Sequence, residues 1–289
     1  MKALCKYIPY QYGQRFKFVC FSDVHHGNAL SSTKLFQKEL IDRHKDNPDC
    51  YFIDLGDGMD LIVGQSGDKR WKASMVDPKY VGVDNPIDAM IDGYAKLLEP
   101  IKDRLIVMLD GNHSMSILDR YGTNPTRRVG CKLWGDDEID KRILGYSGFL
   151  VTKFEWHKNI GGHSRVRSLT WNLTHGIANG TGKTLGGYIT SMGTDSTHYL
   201  ADIHAFGHNH RLAGIDRVKI GVDGNCRKII SKKEVILNTG TFLKSFSDTA
   251  DTSYAERARF IPGELGYMEL NVRLNKSGME IYHAKRTFL

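Results

Sequence analysis

Residues that commonly ligate metals follow strand-like apolar stretches at five places along the chain. The stretches are FKFVCFSD, CYFIDLGD, RLIVMLDGN, LTWNLTHG and DIHAFGH. The residues at or just beyond their ends are Asp23, His25, Asp57, Asn112, His175, His208 and His210. Because the ends of neighbouring strands meet at one edge of a sheet, ligands distant in sequence can share a site there. The pattern therefore predicts a metal centre at the edge of a sheet.

The types of ligand in this set limit which metals it can bind and which reaction it can support. A mixture of carboxylates and imidazoles suits Mn, Fe, Zn or Co, whereas a calcium cage uses oxygen ligands alone and a thiolate site uses cysteines. Two such ions about 3.5–4 Å apart can clamp a phosphate and hold a bridging hydroxide. The set predicts hydrolysis of a phosphoester by in-line attack of a metal-activated water.

The order of the motifs resembles that of the calcineurin-like metallophosphoesterase superfamily, and the second half of the chain resembles small phosphoesterases encoded by phages and prophages. The motifs are D-x-H, G-D-x-x-D, G-N-H, H-G and G-H-x-H over residues 23–210, followed by ILNTGTF. The resemblance implies an α/β fold, a four-layer α-β-β-α sandwich of two mixed sheets flanked by helices. It also implies two divalent ions as cofactors, with Mn first and Fe, Zn, Co or Ni as alternatives.

Roles follow from the same resemblance, position by position. Asp23, His25 and His210 would hold one ion, Asn112, His175 and His208 the other, and Asp57 would bridge the two. His113 would be catalytic, stabilising or protonating the leaving oxygen. The chain departs from the family at Ser114, where an acidic residue usually orients this histidine. Asp110 and Asp54 are the candidates to replace that residue, although we interpret both as structural carboxylates; Asp60 is expected to support its loop by hydrogen bonding.

The coarse organisation predicts one domain, residues 1–289, with an irregular insertion at about 64–85. Strands at about 16–22 and 50–55 alternate with helices at about 31–45, starting at a capping Ser, and 85–103; RLIVMLDGN is a third strand. The second half is predicted to be mostly strands, the last two joined by a hairpin turn at NKSG. The insertion carries Lys69, Arg70, Trp71 and Lys72, and is expected either to wall the cleft or to pack on the core.

Composition bears on the partners and the location. The formal charge of +7 favours a polyanionic substrate such as DNA, RNA or a nucleotide. Five scattered cysteines without a C-x-x-C pair argue against a disulfide framework. The sequence shows neither a membrane-spanning run nor a signal peptide, so we expect a cytoplasmic protein without a membrane partner.

The glycine-rich segment IANGTGKTLGGYI directly follows His175. It lacks the first glycine of a P-loop, so nucleotide binding of that type is rejected. Two interpretations of Lys183 stay open on equal terms: it binds substrate phosphate, or it belongs to an ordinary surface loop.

The sequence thus predicts a dinuclear phosphoesterase that favours phosphodiester bonds of nucleic acid or nucleotides. A phosphomonoesterase or a cyclic-nucleotide phosphodiesterase is the alternative. A non-catalytic scaffold with the same fold is disfavoured because the full ligand set is present.

Overall fold

Two β-sheets form the centre of the computed structural model, which describes residues 1–156, 165–176, 186–247 and 252–288. The strands are β1 (Lys2–Pro9), β2 (Arg15–Phe21), β3 (Cys50–Asp54), β4 (Leu105–Met108), β5 (Ser147–Trp156), β6 (Arg165–Thr174), β7 (Ile203–Phe206), β8 (Leu212–Val222), β9 (Ile229–Thr239), β10 (Leu265–Leu274) and β11 (Met279–Phe288). The helices are α1 (Thr33–Phe36), α2 (Pro86–Leu98), α3 (Asn112–Tyr121), α4 (Pro125–Trp134), α5 (Asp136–Ile139), α6 (Gly187–Asp195) and α7 (Tyr254–Ala258).

Both sheets are mixed. In the first, with the order β11-β10-β2-β3-β4, the strands β2, β3 and β4 are parallel and β10 is antiparallel to β2. The second has the order β1-β5-β6-β7-β9-β8, with β6, β7 and β9 parallel. Parallel neighbours bring their carboxyl ends to one edge, and the predicted ligands follow strands of these parallel groups.

The layers are defined by three apolar clusters. One fills the space between the sheets and includes Phe18, Trp171 and Leu270. A second packs the helices α1, α2 and α4 on the outer face of the first sheet. A third, around Met192 of α6, covers the outer face of the second sheet. The predicted four-layer sandwich is therefore confirmed.

Most predicted strands are present, and the NKSG turn joins β10 to β11 with Asn275 N donating to Gly278 O at 2.9 Å. Strand β1 was missed because its alternation is weak, yet it pairs in parallel with β5 along eight residues. The predicted helix at 31–45 begins at Thr33 and continues as a π-helix over Gln37–Asp42. A serine, Ser32, occupies the N-cap position as predicted, but its side chain makes no capping hydrogen bond.

The segment predicted as an irregular insertion contains three short 3₁₀-helices, Gly64–Ser66, Ala73–Met75 and Pro78–Tyr80. The helix predicted next to it is α2, capped by the Asn85 side chain. The assignment of the whole chain to one domain stays a prediction. Within the described ranges, no helix is long and apolar enough to cross a membrane.

Candidate metal centre

The predicted ligands lie in the loops beyond five strands. Asp23 and His25 follow β2, Asp57 follows β3, Asn112 opens α3 after β4, His175 follows β6, and His208 and His210 follow β7. The strands belong to both sheets, so the ligands converge from the two halves of the sandwich.

One group of ligands consists of Asp23, His25 and His210. Asp23 Oδ1 lies 3.1 Å from His210 Nε2 and 3.7 Å from His25 Nε2, and the two Nε2 atoms are 3.3 Å apart. Asp23 is fully buried, and no described residue gives its Oδ1 a hydrogen bond. A buried carboxylate oxygen without a donor, facing two imidazole nitrogens, suits a divalent cation.

A second group consists of Asp57, Asn112, His175 and His208. His175 Nε2 is 3.1 Å from Asp57 Oδ2 and 3.2 Å from Asn112 Oδ1. The His175 and His208 rings are 5.2 Å apart, and the ligand atoms of Asp57, His175 and His208 lie within 4.8 Å of one another. This group also offers the mixture of oxygen and imidazole nitrogen that a divalent transition metal accepts.

Asp57 connects the two groups. Its carboxylate also lies within 4.8 Å of ligand atoms of His25 and His113. His25 in turn belongs to the group with Asp23. The carboxylate is thus placed between both sets of ligands, where the sequence predicts the bridge.

Hydrogen bonds behind the ligands fix which imidazole nitrogen faces the centre. His175 Nδ1 donates to Leu55 O at 2.7 Å, and His25 Nδ1 lies 3.1 Å from Asp60 Oδ1. Each Nε2 is therefore left for a cation. Such outer contacts orient metal-binding histidines and raise their basicity.

The pKa shifts show how strongly this pocket attracts positive charge. Burial lowers the pKa of His25, but the nearby carboxylates of Asp23, Asp60 and Asp57 outweigh this and raise it to about 10. Burial raises the pKa of Asp57, yet the charges of His175 and His113 hold it below its ordinary value. The carboxylates therefore remain ionised, as cation ligands must be.

The ligand loops adopt left-handed backbone conformations. The φ angles are +52° at Asp23, +49° at His25, +50° at Asp57, +66° at His208 and +52° at His210. Non-glycine residues adopt this region rarely, and such strain concentrates at functional sites.

Gly111 is held against Asp57 and gives a test of this packing. A Cβ at Gly111 would lie 1.9 Å from Asp57 Oδ1 and 2.3 Å from Asp57 N, so Gly111→Ala must displace the carboxylate. We expect metal affinity to fall roughly 10–100-fold, the range seen when the support of a ligand is removed. Titration with Mn²⁺ measures it. Gly193→Ala, where the added Cβ meets nothing within 4 Å, is the control and should bind normally.

His113 lies beside the ligands, and its orienting partner differs from the candidates considered in sequence. Its Nδ1 hydrogen-bonds to the backbone carbonyl of Asp60, while Nε2 is 3.9 Å from Asp57 Oδ2. Ser114 does not face the histidine; it exchanges hydrogen bonds of 3.0 Å with the backbone of Gly111 at the start of α3. Asp60 therefore takes the orienting place, and also supports His25.

The two alternative carboxylates are engaged elsewhere, in line with a structural role. Asp54 accepts hydrogen bonds from Gly56 N and Tyr94 Oη, both at 2.9 Å. Asp110 accepts from Asn124 Nδ2 at 3.2 Å.

Burial of Asp54 predicts a dependence of stability on pH. Burial raises its pKa to about 7, against about 4 in an unfolded chain. The folded state thus retains a proton that the unfolded state releases, so wild-type stability falls as pH rises through this window. In metal-free protein, Asp54→Asn should gain stability relative to wild type between pH 5 and pH 8, by roughly 1–4 kcal/mol in urea unfolding. The exposed Asp119→Asn should show no such gain, and a pH-independent difference for Asp54→Asn would contradict the argument.

Other histidines have structural contacts. His26 Nε2 is 2.7 Å from Tyr80 Oη, His44 Nε2 is 2.9 Å from Tyr267 Oη, and His283 Nε2 is 3.4 Å from Asp216 Oδ1. Lys183, together with His157 and His163, lies outside the described residues.

Sequence reasoning missed one wall of the site. A cavity of about 480 Å³ adjoins Asn112 and is lined by Met115, Ser116, Asp119, Arg120 and Tyr146. The Tyr146 ring lies 5.4 Å from that of His175, and burial, with the charges of Asp57 and Asp23, raises its pKa to about 12. The spacing of positions 112, 115, 116, 119 and 120 marks one face of α3, a signal that appears once this helix is recognised.

No protein-family model and no curated protein matches the chain. Similar solved structures include vacuolar protein sorting 29 from Cryptosporidium parvum, with 14% identity, 96% of this chain and 100% of that chain covered, and a TM-score of 0.39. A metallophosphoesterase from Sphaerobacter thermophilus has 11% identity, coverage of 95% and 90%, and a TM-score of 0.39. An NAD nucleotidase from Haemophilus influenzae has 8% identity, coverage of 96% and 51%, and a TM-score of 0.40.

The chain resembles the calcineurin-like metallophosphoesterases. Its motif order alone carries that resemblance. At these identities and TM-scores the structural likeness carries no argument about activity, which has to come from the residues of the site.

Proposed function

We propose that the protein is a metal-dependent phosphoesterase that uses two divalent cations and favours phosphodiester bonds of nucleic acid or nucleotides. The observation that supports this most is the position of Asp57, whose carboxylate belongs to ligand groups on both sides of it. When bound, two such cations supply a nucleophile at neutral pH and offset the charge of the phosphate. Mn²⁺ is the first candidate, with Fe, Zn, Co or Ni as alternatives.

The residues of the chain take distinct parts in this proposal. Asp23, His25 and His210 would hold one cation, Asn112, His175 and His208 would hold the other, and Asp57 would contact both. His113 gives a proton to the leaving oxygen from Nε2, because Nδ1 is engaged by the carbonyl of Asp60. Asp23, His25, Asp57, His113 and His175 are buried, which excludes bulk water on their side of the site and strengthens the electrostatic interactions with the phosphate.

The preference for diesters rests on His113 and on charge. A diester of nucleic acid expels an alkoxide, which needs a proton more than an activated leaving group does. The net charge of +7 favours a polyanionic substrate. We also propose that the protein acts in the cytoplasm and has no membrane partner.

A screen with added Mn²⁺ tests the proposal directly. The substrates are bis(p-nitrophenyl) phosphate, p-nitrophenyl phosphate, cyclic nucleotides, single-stranded DNA, duplex DNA and RNA. We expect hydrolysis of the diesters that EDTA abolishes and Mn²⁺ restores. Preference for p-nitrophenyl phosphate would favour the phosphomonoesterase alternative. Preference for cyclic nucleotides would favour a cyclic-nucleotide phosphodiesterase. Inactivity on all these substrates with metal bound would favour a non-catalytic scaffold.

A further inference from the structure

Two arginines are held at the rim of the metal centre by one carboxylate. Arg70 donates to Asp68 from Nε at 3.0 Å and from Nη2 at 2.7 Å. Arg120 Nη1 lies 3.8 Å from Asp68 Oδ2 and donates to Ser66 O at 2.9 Å. Asp68 is 7% exposed, whereas the arginine side chains are 49% and 39% exposed. One buried negative charge thus positions two half-exposed positive charges, so the three groups carry a net charge of +1.

The pair faces the site. Arg120 lines the cavity that reaches Asn112 and Tyr146, so its guanidinium shares a wall with a predicted metal ligand. Arg70 is joined to Arg120 through Asp68, and its hydrogen bond to Asp68, together with the charges of Asp60 and Asp57, raises its pKa. Its bond to Asp68 uses Nε and Nη2, so Nη1 takes no part in that pair. Arg120 makes its contacts with Asp68 and Ser66 through Nη1 alone, so its other guanidinium nitrogens take no part in them.

We propose that Arg70 and Arg120 bind a second phosphate group of the substrate, adjacent to the one that is cleaved. This proposal rests on the proposed function, because it assigns a substrate class to the same site. Arginine guanidinium groups make charge-assisted, often bidentate hydrogen bonds to phosphate. The class includes a polynucleotide, whose next phosphate is one nucleotide away, and a nucleotide that carries a further phosphate.

One residue in the same cavity opposes this binding. Asp119 is exposed and negatively charged, and it lies on the same wall as Arg120. Arg70 and Arg120 are exposed as well, so water screens all three charges, and Asp119 offsets one of the two positive charges. Asp119→Asn should therefore strengthen binding of the second phosphate modestly.

Affinity for matched nucleotides tests the proposal without relying on turnover. The full-length protein with Mn²⁺ is titrated calorimetrically with thymidine 3′,5′-bisphosphate and with thymidine 5′-monophosphate, which differ by one phosphate. We expect wild type to bind the bisphosphate about 10-fold more tightly, and Arg70→Gln or Arg120→Gln to reduce that ratio to about 2. Arg120→Lys, which keeps the charge but loses the planar fork, should give an intermediate ratio. Lys69→Gln, an equal change of charge at the neighbouring exposed residue, should keep the wild-type ratio.

The result can overturn this proposal separately from the proposed function. A wild-type ratio near 1, or a ratio that both arginine variants retain, overturns the second phosphate site. Hydrolysis of bis(p-nitrophenyl) phosphate, which has no second phosphate, independently reports on the metal centre. Competition by a thymidylate tetramer and by ATP then identifies the source. If only the tetramer competes, and its competition depends on the arginines, the substrate is a polynucleotide. If only ATP competes in this way, the substrate is a nucleotide with a further phosphate. Competition by neither compound contradicts the proposal.

Discussion

Asp57→Asn is expected to abolish metal-dependent hydrolysis, with turnover of bis(p-nitrophenyl) phosphate at least ~10³-fold below wild type. The amide keeps the shape of the side chain and its oxygen can still accept the hydrogen bond from His113 N, which is 3.0 Å long. It loses the negative charge that two cations would share. Metal content after equilibration with Mn²⁺ should fall from about two ions per chain to one or fewer.

A matched control separates the bridge from a general effect of removing a buried carboxylate. Asp54 lies three residues earlier, is 1% exposed, and bonds Gly56 and Tyr94 rather than the ligands. Asp54→Asn should keep both ions and most of the turnover. Both variants should unfold cooperatively on heating. Two bound ions and unchanged turnover in Asp57→Asn would contradict the bridging assignment.

The ligand set could be predicted from the sequence because each member follows an apolar stretch that reads as a strand. Strand ends converge whatever the details of the loops, so the predicted ligands Asp23, Asp57 and His175 could be expected to follow strands that meet, without knowing any loop conformation. Hydrophobic patterns also predicted the strands of the two sheets, because alternating and continuous apolar residues indicate which faces of a strand are buried.

What the sequence could not show depends on backbone geometry. The backbone carbonyl of Asp60 orients His113. Because every residue has a backbone carbonyl, the residue types in the sequence do not indicate this role. The left-handed φ angles at Asp57 and His208 are likewise invisible in residue type, because these conformations normally favour glycine. Arg70 and Arg120 are 50 positions apart and meet only through Asp68.

His113→Ala is expected to cost more with a poor leaving group than with a good one. A proton delivered from Nε2 helps an alkoxide to leave, whereas p-nitrophenolate leaves readily without it. We expect turnover of a thymidylate dinucleotide to fall roughly 10²–10³-fold and that of bis(p-nitrophenyl) phosphate less than about 10-fold. Steady-state kinetics on both substrates at saturating Mn²⁺ measures the difference.

Metal content decides between the two roles that the geometry of His113 allows. Its imidazole is within 4.8 Å of ligand atoms of His25 and Asp57, so a ligand role is the competing interpretation. An acid should leave both ions bound when it is removed, and a ligand should not. Ser116→Ala, which changes a non-ionisable residue in the adjoining cavity, should alter the two rates equally. Equal losses on both substrates with two ions retained would contradict the acid role, because a residue that only shapes the site has no reason to distinguish an alkoxide from p-nitrophenolate.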